Sequence, residues 1–435
     1  MIKKAALALD YPYERLIKLS GLVGAFLLGQ GTLQLIQVIS GFLLFRWLSI
    51  EEYAEYSMAF AFQCTAHVLV EFGFSGTIVA LVGNRVYDKK VIGDYIKAGQ
   101  FYRHRLFLAI SVFCAIIFPL LTLKHHFSVF TTIMLLVSII TNLYFTGWSS
   151  YYTPPLKMHK KVSTLYQIQV KSGALRLVVL YIMYLVSALN SWIAALLGSM
   201  QTLMNGYLIK KSASDYVQVP KTVNPQARRE MMSLLKPVMP GIVFNAFQSQ
   251  IMVFILSVFG ATNNIAEMGA LSKIGQLYMV LSMAGGILIA PHIARVPASG
   301  LLRKYLFIAG TTIFLCSVIV FAAYIFPEPL LWLLGSKYDH LRNELVALLI
   351  CAGIGVVNGI IWEMNEARKW IYAWDPLLVI FGTISIQVAC VFLLDLSSLH
   401  NVIVMSVISN LFVLAVKFSA SFQGFRPALK RNSFK

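Results

Sequence analysis

Long apolar stretches without charged residues recur along the whole of this 435-residue chain. A run of about 20 apolar residues is long enough to cross the roughly 30 Å hydrocarbon core of a bilayer as a helix. Because 58% of the residues are hydrophobic and only 12% are charged, a water-soluble fold would have too little polar surface to cover it. The sequence therefore predicts an all-α integral membrane protein with several spans.

The apolar stretches predict about twelve membrane-spanning helices, and the longest connection between them divides these helices into two sets of six. We expect an N-terminal lobe at 1–209, a cytoplasmic linker at 210–236, and a C-terminal lobe with a basic tail at 237–435. A weak internal repeat aligns 49–61 with 261–273 at a spacing of 212 residues. The predicted spans are 19–45, 56–83, 106–123, 127–149, 165–187, 190–209, 237–259, 264–290, 305–326, 343–364, 375–394 and 399–421.

The cations distribute unequally between the two sides of this topology. Of the 36 Lys and Arg residues, 29 fall at the termini and on every second connection, while four fall on the opposite connections. Since cytoplasmic loops of membrane proteins carry the excess of Lys and Arg, we expect both termini in the cytoplasm. The net charge of +18 is then explained by orientation, and we expect no nucleic-acid partner.

The three remaining cations, Lys171, Arg176 and Lys273, fall inside predicted spans. Each costs at least about 2.5–3.5 kcal/mol at the centre of a membrane helix, so such residues mark a pair or a pathway. Lys171 could still extend its ammonium group to the headgroup region, which is the simpler alternative for that residue. Because guanidinium and ammonium groups bind phosphate, the three cations predict a chamber that accepts an anion.

Polar residues at helical spacing accompany these cations, and Glu71 provides one possible counter-charge. The alternative interpretation is that the polar stripes are hydrogen bonds between packed helices. Together with three cations, they indicate a hydrated internal cavity. The candidate cavity residues are Glu71, His67, Gln63, Gln34, Gln37, Asn245 and Gln248.

No motif indicates an enzyme or a bound cofactor. The sequence has no HExxH, GxSxG, phosphate-binding-loop or dinucleotide-binding motif. Its five cysteines are scattered through apolar runs without metal-ligand or disulfide spacing. The first twenty residues predict no cleaved signal peptide. We expect no metal and no cofactor, while a coupling ion such as H⁺ or Na⁺ stays open.

Two segments resemble those of a known family. The stretch "FLLFRWLSIEEYAEYSMAFAF" (42–62) is similar to the junction of the first two helices in polysaccharide (Wzx-type) flippases of the multidrug/oligosaccharidyl-lipid/polysaccharide (MOP) superfamily. The stretch "LLWLLGSKYDHLRNELVALLI" (330–350) resembles the segment before the tenth helix in the same family. The usual glycines of the first motif are replaced by Ser49 and Ala54.

This resemblance implies a function and a location. Members of the family move an undecaprenyl-pyrophosphate-linked oligosaccharide from the cytoplasmic to the outer leaflet by alternating access, for O-antigen or other surface polysaccharide assembly. The resemblance implies that Lys273, Arg176 and Lys171 bind the anionic headgroup. It also implies a place in the bacterial inner membrane, in contact with membrane lipids, a polysaccharide polymerase and chain-length machinery.

Two other functions remain open from the sequence. A drug or cation antiporter of the same fold needs acidic residues in its cavity, and Glu71 and Glu363 are the candidates for that role. A membrane polymerase or ligase of lipid-linked glycans needs reactive groups on an outer loop. The connection 327–344, with Asp339 and His340, is the candidate for this second role.

Overall fold

The structure is a computed structural model that describes residues 31–278 and 281–432, apart from 283–284 and 286–288. Its regular secondary structure in this part of the chain is helical. Within these described ranges, eight helices are long and apolar enough to cross a membrane, and a bent pair makes a ninth span if it is counted as one. The chain is thus an all-α protein of several membrane spans.

We number the helices that the structure describes in chain order, and two are only one or two turns long. They are α1 (31–47), α2 (Ile50–Glu71), α3 (Phe74–Val82), α4 (Lys89–Lys124), α5 (Val129–Met158), α6 (Val162–Leu185), α7 (Ser191–Ala213), α8 (Pro225–Leu235), α9 (Met239–Gln248), α10 (Ile251–Phe259), α11 (Thr262–Gly275), α12 (Ala290–Arg295), α13 (Ala298–Ile325), α14 (Glu328–Leu334), α15 (Arg342–Ala367), α16 (Trp374–Leu393) and α17 (Leu399–Asn432).

Two of the expected continuous spans are broken helices. The segment 56–83 breaks between α2 and α3, where Phe72 and Gly73 both adopt positive φ angles of 50° and 77°. The segment 237–259 divides into α9 and α10, which are bent by 55°. In membrane proteins, a break in a helix is found where its freed backbone groups line a cavity or meet other protein groups. Both breaks are therefore places to search for a site.

The described helices form two compact units. Unit 1 comprises the described residues up to Leu43, together with Phe62–Leu120 and Ser128–Ala246. Unit 2 comprises Leu44–Ala61, Leu121–Phe127 and the chain from Phe247 onwards. The C-terminal part of α1 and most of α2 thus pack with the second half of the chain.

The core of unit 1 gathers around the short helix α8. Asn224 caps this helix by accepting hydrogen bonds from the backbone N–H groups of Gln226 and Ala227, and Pro225 occupies the first turn. Ala227, Met231 and Leu235 recur every four residues and bury one face of the helix. They join one apolar cluster with α3 and with parts of α4, α5, α6 and α7.

Unit 2 is held together by polar contacts as well as by apolar packing. Asn365 on α15 is buried, and its carbonyl oxygen accepts hydrogen bonds from Tyr305 (3.1 Å) and Ser421 (2.9 Å). Its amide group donates to the carbonyl of Lys417 at 3.2 Å. These bonds join α13, α15 and α17, because in an apolar environment each polar group needs a partner.

Equivalent positions of the internal repeat come together inside unit 2. Ser57 and Gly269 are 212 residues apart, and a Cβ added at Gly269 would collide with the Ser57 hydroxyl. The ammonium group of Lys337 donates to the carbonyl of Leu48 at 2.7 Å, near the end of α1. Lys124 donates in the same way to the carbonyl of Val258, near the end of α10. Each lysine thus neutralises the partial negative charge at the end of a helix from the other half of the chain.

Candidate functional site

The ten cavity residues predicted from the sequence divide between the two units. Lys273 and Gln248 lie in unit 2. The other eight lie in unit 1, namely Gln34, Gln37, Gln63, His67, Glu71, Lys171, Arg176 and Asn245. Each unit therefore has its own arrangement of charges.

Glu71 is the last residue of α2 and lies directly before the break in the helix. Its carboxylate oxygen Oε1 accepts a hydrogen bond of 3.0 Å from the backbone N–H of Ser75 in the first turn of α3. The first N–H groups of a helix have no partner within the helix and carry a partial positive charge. Glu71 thus caps α3 and stabilises the second half of the broken span.

Arg103 on α4 lies beside the other carboxylate oxygen of Glu71. The distance from Arg103 Nε to Glu71 Oε2 is 3.9 Å, and the two side chains are only 11% and 13% exposed. The guanidinium group also donates to the backbone carbonyls of Leu143 and, at 3.4 Å, Tyr144 on α5. A buried ion pair needs such additional hydrogen bonds to offset its loss of hydration.

A glycine on α5 makes room for this arginine. A side chain at Gly147 would collide with the Arg103 guanidinium group, so only glycine permits the close approach of α4 and α5 at this level. The ring of Tyr151 packs against Gly99 in the same way. The predicted span 106–123 would leave Arg103 in the connection before it, but Arg103 lies roughly 21 Å along α4.

The sequence nevertheless contained a signal for Arg103. Ile92, Ile96, Gly99 and Arg103 follow one another at three- and four-residue spacing, and all four are buried. His104 and Arg105 leave this helical face and are exposed. The signal was missed because the charge count treated the whole basic stretch before 106 as a loop.

Gln63 and His67 lie two turns and one turn before Glu71 on α2, and both are half-buried. They extend the polar stripe that the four-residue spacing predicted. Ser75 lies beyond the break and belongs to α3, so it contributes its backbone N–H to Glu71. The stripe ends in a carboxylate whose charge is compensated by Arg103 and by the end of a helix.

Arg176 is half-buried between α6 and α7. Its Nη1 donates to the side-chain carbonyl of Gln201 at 3.4 Å, and Nη2 lies close to Gly198, one turn before Gln201. Arg176 thus joins two packed helices, which is the alternative interpretation that the sequence left open for polar residues in spans. Arg176 lies roughly 21 Å from the start of α6, which is a 24-residue helix.

The remaining unit 1 residues are more accessible. Lys171 is exposed on α6, Gln37 is exposed on α1, and Asn245 is exposed on α9. Gln34 is half-buried on α1. Glu71, by contrast, forms an ion pair with Arg103.

Lys273 lines a cavity of about 240 Å³ inside unit 2. The ammonium nitrogen of Lys273 lies 4.6 Å from the centre of the Phe60 ring, a cation–π distance. Ser57 and Gln248 line the same cavity, and the bend between α9 and α10 forms one of its walls. The other lining residues are Tyr53, Tyr56, Ser249, Gln250, Ile251, Met252, Val253, Met268, Gly269, Ser272 and Gln276.

The lining of this cavity combines one cation with amides, hydroxyls and aromatic rings. Gln248, Gln250 and Gln276 provide hydrogen-bonding amides, and the cavity lining contains no Asp or Glu. Gln248 is held in place from α16, since Gln387 donates to its side-chain carbonyl at 3.0 Å. Such a surface suits a ligand that carries both an anionic group and hydroxyl groups.

Two other features of the described residues bear on catalysis and cofactors. Among them, no group of His, Cys, Asp or Glu side chains has the arrangement of a metal site.

His340, in the connection considered for an enzyme, binds Glu267 on α11 at 2.9 Å. Arg342 donates to the carbonyl of Tyr324 at 3.4 Å. These residues of the connection thus contact neighbouring helices.

Solved structures of similar fold place these observations in context. No protein-family profile matches the sequence, and neither does any curated protein sequence. A multidrug resistance MATE family transporter of the MOP superfamily, in an inward-facing conformation, is 12% identical and has a TM-score of 0.64, with 89% of this chain and 94% of that chain covered. The lipid II flippase MurJ, in an inward closed conformation, is 13% identical and has a TM-score of 0.65, with 93% of this chain and 89% of that chain covered.

The chain has a fold similar to that of these two transporters. A MATE structure in a bent conformation extends the agreement, with 14% identity, a TM-score of 0.59 and coverage of 93% of this chain and 94% of that chain. At these identities the likeness concerns the fold alone. Because the MOP fold serves both a lipid flippase and multidrug transporters, the chemistry of the site must distinguish between these functions.

Proposed function

We propose that this protein is a flippase that moves a lipid-linked oligosaccharide across the membrane. The observation that carries the proposal is the cavity around Lys273, whose lining combines a lysine with glutamines and aromatic rings and contains no carboxylate. Lys273 would bind a phosphate of the headgroup as a point charge, and the amides and aromatic rings would contact the sugars.

The proposal includes the finer features that the sequence suggested. The substrate would be an undecaprenyl-pyrophosphate-linked oligosaccharide for O-antigen or another surface polysaccharide, carried by alternating access. The protein would have twelve spans with both termini in the cytoplasm, in a bacterial inner membrane. A polymerase and chain-length machinery would use its product, and no cofactor would be needed beyond a coupling ion.

The state of Glu71 supports a flippase over a cation antiporter. A site for a cationic drug needs a carboxylate whose charge is available to the substrate. Oε1 of Glu71 accepts a hydrogen bond from the backbone N–H of Ser75. Its Oε2 makes no hydrogen bond within the described residues but lies 3.9 Å from Arg103 Nε, so a neighbouring cation already compensates its charge. We therefore assign Glu71 a structural role in unit 1.

One observation favours the antiporter as the second candidate function. Glu363 on α15 has a buried carboxylate oxygen, Oε2, without a hydrogen-bond partner among the described residues. A carboxylate in that state is able to exchange a proton during transport. If Glu363→Gln lowers drug resistance while surface glycan is unaffected, the antiporter replaces the flippase.

The direct test is complementation of a flippase-deficient bacterial strain. Lys273→Ala should reduce surface glycan by roughly 10- to 150-fold, since a charge-assisted hydrogen bond contributes about 1.5–3 kcal/mol. Lys304→Ala, which removes an exposed lysine from α13 of the same unit, is the matched control and should behave like the wild type. Normal glycan from Lys273→Ala at normal protein level would refute the role of this cavity.

The same assay separates the three cations that the sequence assigned to the substrate. Arg176→Ala and Lys171→Ala should be measured beside Lys273→Ala, each with membrane-protein level as the folding control. Because Arg176 contacts α7 at Gln201, its loss should lower the protein level as well as the glycan. Loss of glycan at normal protein level for Arg176→Ala would place this arginine at the substrate.

A further inference from the structure

A second and larger cavity lies in unit 1, and none of the residues assigned to transport above lines it. It is a groove of about 590 Å³ between α4, α5 and α7. Its lining is rich in basic and aromatic side chains and contains no Asp or Glu. The lining residues are Lys97, Gln100, Phe101, Arg103, His104, Arg105, Tyr144, Gly147, Trp148, Tyr151, Tyr152, Lys210 and Val223.

Three of its cations have no carboxylate partner within ion-pair distance in the described part of the chain: Lys97, Arg105 and Lys210. Arg105 lies over the Phe101 ring, 4.1 Å from its centre, and Lys210 lies 5.0 Å from the centre of the Trp148 ring. The aromatic rings hold these cations in the groove while leaving their charge available for an anion.

The floor of the groove contains polar atoms that lack a partner. The Tyr151 hydroxyl is fully buried and makes no hydrogen bond within the described residues. The Nε atom of Arg103 is also buried and has no hydrogen-bond acceptor there, although it lies within 3.9 Å of Glu71. Unsatisfied buried donors are uncommon, and these two make the inner side of the groove polar.

Exposed apolar stripes continue from the cations along both helices. On α4, Arg105 is followed on the same face by Leu108 and Val112, which are 54% and 60% exposed. On α7, Lys210 is preceded on the same face by Tyr207 and Leu203. The groove therefore joins a cationic end to apolar surface, as the head and the tails of a lipid require.

Trp148 and Tyr144 line the groove together with these cations. Aromatic side chains with a polar atom are typical of the membrane–water interface, where one end of the ring is wet. A single Lys or Arg near the membrane–water interface can also extend its charged end to water without binding a ligand. Here, however, the cations come from two helices and converge on one groove with a buried polar floor.

We propose that this groove binds the phosphate headgroup of an anionic phospholipid from the cation-rich leaflet, with its acyl chains along the exposed stripes of α4 and α7. Basic pockets between membrane helices bind such headgroups. Lys97, Arg105 and Lys210 contact the phosphodiester. The site is separate from the Lys273 cavity and does not depend on the proposed transport function.

The test compares thermal unfolding of the purified full chain in nanodiscs of phosphatidylcholine, with and without phosphatidylglycerol. The lipid-binding variant is Lys97→Gln/Arg105→Gln/Lys210→Gln. The control is Lys157→Gln/Lys160→Gln/Lys161→Gln, which removes three exposed cations near the end of α5, outside the groove lining. Both variants lower the net charge equally, so general attraction to an anionic surface changes equally.

We expect phosphatidylglycerol to raise the unfolding midpoint of the wild type and of the control, because a ligand that binds the folded state stabilises it. The lipid-binding variant should lose this increase, with an apparent affinity roughly 100-fold lower, since each surface cation contributes about 1 kcal/mol. An increase retained by that variant, or lost equally by the control, would overturn the proposal.

Two further measurements keep the result interpretable. The midpoint in pure phosphatidylcholine shows whether a variant is folded, and the single substitution Lys210→Gln replaces the triple variant if that one fails to fold. Inorganic phosphate at matched ionic strength should give no stabilisation in detergent. Stabilisation by phosphate alone, equal to that by phosphatidylglycerol, would identify a small-anion site and contradict the lipid.

Discussion

Arg103 in unit 1 and Lys273 in unit 2 are both cations within membrane helices, but their surroundings differ. Arg103 is held by a carboxylate and by two backbone carbonyls. Lys273 lies against an aromatic ring in a cavity that has no carboxylate in its lining. The first cation has its charge compensated inside the protein, whereas the second leaves it available. The partners of a buried cation, rather than its depth, therefore decide whether its charge stabilises the fold or stays available for a ligand.

The largest expected effect comes from removing Arg103. Arg103→Ala leaves Glu71 buried without its cation, which should lower the free energy of unfolding by about 3–5 kcal/mol. Thermal unfolding in neutral detergent measures the change, with the exposed neighbour Arg105→Ala as the control at less than about 1 kcal/mol. Equal effects from the two variants would contradict the buried ion pair.

Gly147 provides a second way to disturb the same pair. Gly147→Ala should be destabilising by about 1–3 kcal/mol, because the new methyl group would push the Arg103 guanidinium away from α5. Gly310→Ala on α13 is the control, since Gly310 has no neighbouring atom within 4 Å and alanine favours helices. If Gly147→Ala is as well tolerated as Gly310→Ala, Arg103 does not occupy this position.

Lys337 and Lys124 test whether unit 2 also depends on charges for its stability. Lys337→Ala and Lys124→Ala should each cost about 1 kcal/mol, because each removes a hydrogen bond to the end of a helix. We expect similar losses from the two variants because each ammonium group donates to the same kind of acceptor, a backbone carbonyl near the end of a helix. A large loss from only one of them would refute this equivalence.

Lys273 itself should matter little for stability. Lys273→Gln removes a cation–π contact of about 0.5–1 kcal/mol and leaves no buried carboxylate in the cavity lining without a partner. Its unfolding midpoint should therefore stay close to that of the wild type while transport is lost. A loss of stability similar to that of Arg103→Ala would abolish the distinction between the two cations.

The smallest effect concerns His125, which lies between α4 and α5. Its Nε2 donates to the carbonyl of Ser257 at 2.9 Å, so in the neutral ring Nδ1 accepts from the Thr262 hydroxyl at 3.1 Å. Burial lowers the pKa of His125, and the neighbouring Lys124 and His126 act in the same direction. The stabilisation that the neutral His125 ring contributes is present above the unfolded pKa of about 6.5. It is lost as the pH falls toward the lower pKa of the folded state. The unfolding midpoint of the wild type should therefore fall slightly more on acidification than that of His125→Gln, and equal shifts would contradict this.

Helical periodicity was informative wherever a helix was continuous. It correctly grouped Gln63, His67 and Glu71 on one stripe of α2, and it would have placed Arg103 on the buried face of α4. It failed at Ser75 and at the bend after Gln248, where the chain leaves the helical path. A break of this kind depends on a few backbone angles, such as the positive φ at Phe72 and Gly73, which leave no periodic pattern in the sequence.

The sequence alone is sufficient to predict an all-helical membrane protein, because its long apolar runs and scarce charges suit membrane-spanning helices. It also identified Lys273 and Gln248, which line one cavity. Only the tertiary structure decided that Glu71 is compensated by Arg103, that Arg176 contacts α7, and that basic and aromatic residues from α4, α5 and α7 form one groove. The physical reason is that hydrophobic length acts within a single segment, whereas the partner of a buried charge is chosen by packing between segments distant in sequence.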